Sequence, residues 1–151
     1  MPRVFGHVPG VEVGDVFPNR IALSLAGVHP PRIAGISGSQ REGCDSIVVT
    51  TGYEDDVDEY ERILYTGSGG RDRQRGIQIM DQDMTRGNEA LRVSCLRELP
   101  VRVTRGPYPG SPYAPPEGYR YDGLYRVARW WADVGRRGFR IYRFELLRGA
   151  P

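Results

Sequence analysis

Glycine and proline punctuate this chain from end to end, twenty of one and twelve of the other in 151 residues. Glycine weakens helices and strands from within, and proline removes a backbone donor, so such spacing favours short elements joined by turns. Between the breakers, SIVVTT (46–51) is β-branched and apolar and predicts a buried strand, and RILYT (62–66) predicts a second. VRVTR (101–105) alternates as a strand does, and GLYRVARWWA (123–132) and GFRIYRFELLR (138–148) predict two more around the turn DVGRRG. NRIALSLAGV (19–28) predicts a short helix capped by Asn19. MTRGNEALRVSCLREL (84–99) predicts a longer one, with Thr85 as cap and Met84, Asn88, Leu91, Cys95 and Leu99 forming a buried stripe. GPYPGSPYAPPEGY (106–119) reads as a loop. No repeat and no interdomain linker interrupts the pattern. The expected architecture is α+β in one domain over residues 1–151: a curved sheet or β-barrel with two or three helices packed against it.

Apolar residues make up 39% of the chain, enough for a core and too dispersed for a membrane span. MPRVFGHVPG carries no apolar signal-peptide stretch, so a cytoplasmic, nucleoid-associated protein with no membrane partner is expected. Cys44 and Cys95 are the only cysteines and are expected as free thiols.

Every one of the 21 basic residues is arginine. Without lysine there is no P-loop and no lysine-dependent nuclease centre. Residues 1–61 hold four arginines against ten acids, and residues 62–151 hold seventeen against nine, an asymmetry that points to an anionic partner. His7 and His29 stand beside prolines in separate loops and match no HNH or HExxH pattern. No GxSxG elbow or CxxC pair occurs. No catalytic residue, no metal and no cofactor is expected.

GYEDDVDEYERILYTGSGGRD (52–72) is the most informative stretch: six acids in eight positions, flanked by Tyr53 and Tyr65 and followed by a glycine-rich run ending at Arg71. Glu54, Asp55, Asp56, Asp58, Glu59 and Glu61 lack EF-hand spacing, so a solvated acidic turn is favoured over a cation site. The stretch resembles the signature of the SRA (SET- and RING-associated, YDG) domain family. FGHVPGVEVGD (5–15), AGVHPPRIAGISGS (26–39), DQDMTRGNEAL (81–91), PVRVTRG (100–106), RYDGLYRV (120–127) and GRRGFRIYRFELLR (135–148) resemble further family segments in the same order. The compact, lysine-free chain is similar to bacterial members.

The resemblance implies a PUA-like fold and a non-catalytic reader of 5-methylcytosine in double-stranded DNA, which turns the modified base out of the helix. By motif, Tyr53 and Tyr65 would sandwich the base, and Asp56 would accept from its exocyclic amine. Thr66, with backbone near Thr50 and Gly52, would address the rest of the Watson–Crick edge, and Ser68 would face the 5-methyl group. Ile33, with the tip Gly38, Ser39, Gln40 and Arg41, would fill the vacated space. Arg71, Arg73 and Arg75 would hold phosphate from the other groove. Gly67, Gly69 and Gly70 would let the chain bend close to the DNA. The arginine loop RDRQRGIQ (71–78) is shorter than in eukaryotic hemimethylation readers, so a strict hemimethyl-CpG preference is not implied. Thr50 and Thr51 replace smaller residues, which leaves 5-hydroxymethylcytosine open as a ligand. The alternatives are a modification-dependent HNH-type restriction endonuclease, of which this chain would be the specificity module or the whole, cutting with the acidic cluster and Mg²⁺ in the latter case, or a protein-interaction module that has lost the pocket.

Overall fold

The computed structural model describes residues 3–50, 54–72 and 74–149. In chain order the elements are β1 (Val16–Phe17), α1 (Arg20–Leu25), β2 (Ile36–Ser39), β3 (Gly43–Val49), β4 (Val57–Asp58), β5 (Arg62–Thr66), β6 (Arg71–Asp72), β7 (Ile77–Gln78), α2 (Arg86–Arg97), β8 (Pro100–Arg105), β9 (Tyr119–Val134) and β10 (Arg140–Arg148). One eight-stranded sheet runs β2-β3-β8-β9-β10-β5-β4, with β1 pairing to the start of β9; β6 and β7 form a separate two-stranded hairpin. Among the described residues, β3 and β8 are the one parallel pair. A parallel neighbour needs a long crossover, and this one carries the acidic turn, β5, the β6–β7 hairpin and α2. The expected curved sheet with helices against it is the architecture observed.

The sequence places the elements well, with instructive differences at their ends. β9 begins at Tyr119, upstream of the apolar run at 123, because Arg120 to Arg126 ladder with β8 and Tyr119 and Arg120 also pair with β1. Backbone pairing, not hydrophobicity, extends it. Its later half, to Val134, pairs with β10. Register shifts at Val103/Thr104 and Glu145/Leu146 bend the sheet. Gly123 sits at the first of these with φ +102°, a left-handed conformation costly for a side chain.

The core lies between the sheet and α2. Ile47, Ile63, Leu91, Val101, Val103, Tyr125, Phe144 and Leu146 form it, all essentially inaccessible. Each such side chain contributes about 1.5–3 kcal/mol by leaving water. Of the expected α2 stripe, Asn88 and Leu91 are buried, whereas Met84, Cys95 and Leu99 are partly buried. Thr85 holds the N-cap position without a side-chain capping bond; Gln40 Oε1 accepts from Arg86 N instead, at 2.9 Å. Ser94 ties α2 to β3 by accepting from Cys44 N at 2.8 Å and donating to Cys44 O at 2.7 Å. On α1, Asn19 caps as expected, accepting from Ala22 N at 2.8 Å. Leu23 packs there with Val28, Val48 and Tyr121 in a smaller cluster.

β8 departs from the half-exposed strand its alternation predicts: Val101 to Arg105 are all buried. Alternate residues of a strand face opposite sides. Val101 and Val103 enter the core, while Arg102 meets the N-terminal segment that covers the other side. Arg102 donates to Val4 O, Gly6 O and Val28 O at 2.6–2.9 Å and to Asp45 at 2.8 Å. Both cysteines are free thiols. Among the described residues no helix is long and apolar enough to cross a membrane.

Candidate nucleic-acid interface

A cavity of about 170 Å³ opens at the ends of β3 and β5. That is smaller than the roughly 300–1,000 Å³ typical of drug-sized ligands and suits one planar ring system. Tyr65 from β5, Val48 and Thr50 from the end of β3, Asp56 from the acidic turn and Gly35 before β2 line it, with Ile33, Arg20 and Arg71 around them. Tyr65 is only 8% exposed, so its ring is fixed by the core it belongs to. Its hydroxyl lies 3.1 Å from where a Cβ on Gly35 would stand, so a side chain at position 35 would crowd the ring.

Asp56 is oriented by backbone. Its Oδ1 accepts from Thr66 N at 2.7 Å, which turns the carboxylate toward the end of β5. An ionised carboxylate has two oxygens and about four acceptor directions, all of them able only to accept.

Two of the neighbouring acids, Asp58 and Asp55, are structural, whereas Glu54, Glu59 and Glu61 are exposed, as a solvated turn would have them. Asp58 receives Arg105 at 2.7 Å through both oxygens, and Arg105 reaches Asp122 at 2.8 Å, with Arg105 1% exposed. Burial works against the Arg105 charge, but the bonds to Asp58 and Asp122 outweigh it and push its pKa up. Tyr60 O accepts from both Arg105 and the Tyr125 hydroxyl. On the other flank, Asp55 Oδ1 accepts from Arg136 N at 3.1 Å and Glu54 pairs with Arg137 at 3.0 Å, tying the turn to the β9–β10 connection. Glu59 pairs with Arg62. The acidic run is thus a cross-linked platform that presents Asp56.

The opposite wall is the segment before β2. Ile33 is 88% exposed, unusual for a large apolar side chain, and stands at the cavity mouth. Arg20 on α1 braces it by donating to Pro31 O, Ile33 O and Ala34 O. His29 braces it from beneath: Nε2 donates to Ala34 O at 2.9 Å, so Nδ1 accepts from the Ser46 hydroxyl at 2.8 Å. Burial, helped by the charges of Arg20 and Arg102, pushes the His29 pKa down to about 4 despite the Ala34 bond. Arg20 was not predicted from the sequence; its only signal there is its place in the first turn of α1, after a cap.

Sequence expectation and placement differ elsewhere. Tyr53 and Gly52, with Thr51 and Arg73, lie outside the described residues. The tip 38–41 does not join Ile33 at the cavity. β2 pairs antiparallel with β3, so the tip lies at the far end of that hairpin. There Ser39 accepts from Glu42 N, Gln40 caps α2 and Arg41 O receives Arg97. Thr66 and Ser68 line a second, adjacent groove, together with Gly38. Arg71 does reach the base-sized cavity, whereas Arg75 sits at the β6–β7 turn paired with Asp72 at 3.0 Å. Gly67 and Gly70 serve internal packing: a Cβ would stand 2.4 Å from Asn88 Oδ1 or 2.2 Å from Met80 O.

Fold and cavity together define a curved-sheet domain with a slot for a single flat, hydrogen-bonding ligand, backed by one fixed aromatic ring and one oriented carboxylate. The SAD/SRA domain profile matches residues 4–150, and the chain belongs to that family. It is 42% identical to the E3 ubiquitin-protein ligase UHRF1 of Rattus norvegicus, over 95% of this chain and 21% of the relative. The chain therefore spans about a fifth of that curated relative's length. Among solved structures, a modification-dependent TagI restriction endonuclease superposes with TM-score 0.94 at 44% identity, over 98% of this chain and 53% of the other. The SUVH5 SRA domain bound to fully hydroxymethylated CG DNA superposes with TM-score 0.82 at 37% identity, over 98% and 97% of the two chains.

Proposed function

We propose that this domain binds double-stranded DNA carrying modified cytosine and reads the base by turning it out of the helix into the cavity beside Tyr65. The observation that carries the reading is the placement of Asp56, anchored to Thr66 N at 2.7 Å, in the same base-sized cavity as the Tyr65 ring. Extruding a base costs a few kcal/mol. Stacking on an aromatic side chain returns about 1–3 kcal/mol, and a second ring from Tyr53 would complete the offset. Cytosine presents an N4 donor where thymine presents an O4 acceptor, so a carboxylate there favours cytosine strongly. Thymine would leave it facing an acceptor, at about 1–3 kcal/mol. A buried methyl group adds only about 0.8 kcal/mol, so preference for methylated over plain cytosine is several-fold. Likeness to the SUVH5 SRA complex supports the ligand class.

A second reading concerns what the domain serves. Its likeness to the TagI restriction endonuclease, of which it spans 53%, supports a role as specificity module of a modification-dependent nuclease. In that role these residues read and do not cut, and an HNH nuclease segment or partner supplies the cleavage. Titration at fixed salt against unmodified, hemimethylated, fully methylated and hydroxymethylated duplexes of one sequence tests the first reading; equal affinity for all four sinks it. Incubation with methylated DNA and Mg²⁺ tests the non-catalytic assignment, and cleavage by this polypeptide overturns it.

A further inference from the structure

Beside the base-sized cavity runs a second groove of about 440 Å³, sharing Gly35 and Tyr65 with it and ending at the N-terminus of α2. We infer that this groove is a phosphate site, taking a backbone phosphate of the DNA strand that carries the flipped nucleotide. The inference rests on the base-reading function above.

Four features converge at the α2 end. The first turn of this twelve-residue helix directs amides outward, and the dipole there favours an anion. Arg86 N is taken by Gln40 and Asn88 N by Thr85 O, but Gly87 N donates to no described residue. Glu89, the acid of that turn, is tied down by Arg92 through both oxygens. Arg86 is exposed and lines the groove, and among the described residues its guanidinium enters no ion pair or hydrogen bond.

The independent sign of a ligand is Thr66. It is 1% exposed and lines the same groove, and its hydroxyl oxygen has no hydrogen-bond partner among the described residues. A buried hydroxyl left unpaired is costly, and an arriving phosphate oxygen would accept from it. Ser68 is pinned alongside: its N donates to Asn88 Oδ1 at 2.8 Å and its O accepts from Asn88 Nδ2 at 2.9 Å. Ala34, Gly35, Gly38 and Gly87 make the walls low enough for a sugar–phosphate chain. A strand leaving the base cavity past Tyr65 enters this groove directly.

The test is Arg86→Ala, an exposed change whose folding is checked by thermal melting, titrated with methylated duplex across a salt series. The expected result is affinity lower by roughly three- to tenfold and a log K against log salt slope about one unit shallower. The preference for methylated over unmodified competitor stays as in the wild type. Asp56→Asn gives a different pattern: discrimination between cytosine and thymine at the flipped position collapses and the salt slope holds. A duplex with methylphosphonates replacing the phosphates flanking the modified cytosine identifies the source, because on it Arg86→Ala should cost nothing further. An unchanged slope, or an equal loss on the neutralised duplex, overturns the phosphate site and leaves base reading intact. A wild-type chain indifferent to methylation sinks the base reading itself.

Discussion

Arg102 and Arg105 lie three residues apart on β8, both 1% exposed and both paired with buried carboxylates, yet they organise different halves of the molecule. Arg102 collects carbonyls of the N-terminal segment and Val28, together with Asp45, and so closes the fold. Arg105 collects Asp58, Asp122 and Tyr60 O, and so holds the turn that presents Asp56. The same chemistry on one strand closes the fold at one end and holds the acidic turn beside the cavity at the other. A buried charge is tolerable only when fully paired, and what it is paired with decides its role.

The largest expected effect is common to both ends. Arg102→Met or Arg105→Met breaks a buried ion pair, and although Arg3 still reaches Asp45 and Arg120 still reaches Asp122, it should lower unfolding free energy by about 3 kcal/mol, read by urea titration. The two should separate well below the melting temperature: Arg105→Met also weakens binding to methylated DNA, whereas Arg102→Met leaves it near wild type. Equal effects on binding would break the comparison.

His29 sharpens the Arg102 side. Its folded pKa of about 4 lies below the ordinary value of about 6.5, so the unfolded chain binds the proton first. Its contribution is present above about pH 6.5 and is lost as pH falls toward 4, roughly 3 kcal/mol in all. Urea midpoints measured over that interval should fall with pH, and His29→Gln should flatten the dependence. A slope unaltered in the variant removes His29 as the cause.

The Arg105 side is sharpened by smaller effects. Asp56→Asn should cost about 1.5–3 kcal/mol in affinity for methylated DNA, measured by fluorescence anisotropy, because a charge-assisted hydrogen bond is lost. Ile33→Ala should cost roughly 1 kcal/mol or less, through lost apolar contact in the opened helix. It should leave stability unchanged, since the side chain is 88% exposed. A stability loss larger than the binding loss would place Ile33 in the fold rather than the interface.

Much of this was legible in the chain. RILYT gives β5 at its observed bounds, Asn19 caps α1, and the α2 region is marked by its periodicity. Tyr65, Asp56, Thr50, Ile33 and Arg71, each singled out in the sequence, line one cavity, although Ile33 and Arg71 were expected on opposite grooves of the DNA. The misplacements have a common cause. The tip 38–41 adjoins Ile33 in sequence but is carried a strand's length away by β2. Five acids beside Asp56 look solvated in sequence, yet Asp58 and Asp55 bind Arg105 and Arg136 from segments tens of residues away. Arg20 carries no local sign that it braces residues 31–34.

Local pattern by itself determined the elements, because hydrophobic period, caps and turn residues act within a few positions. The ordered motifs further determined the family. Only the tertiary structure decided which charges are buried, which acid is left to face the cavity, and that a second groove leads from Tyr65 to the start of α2. Those outcomes depend on partners distant in sequence, and electrostatic pairing and cavity shape are properties of assembled surfaces, not of any one segment.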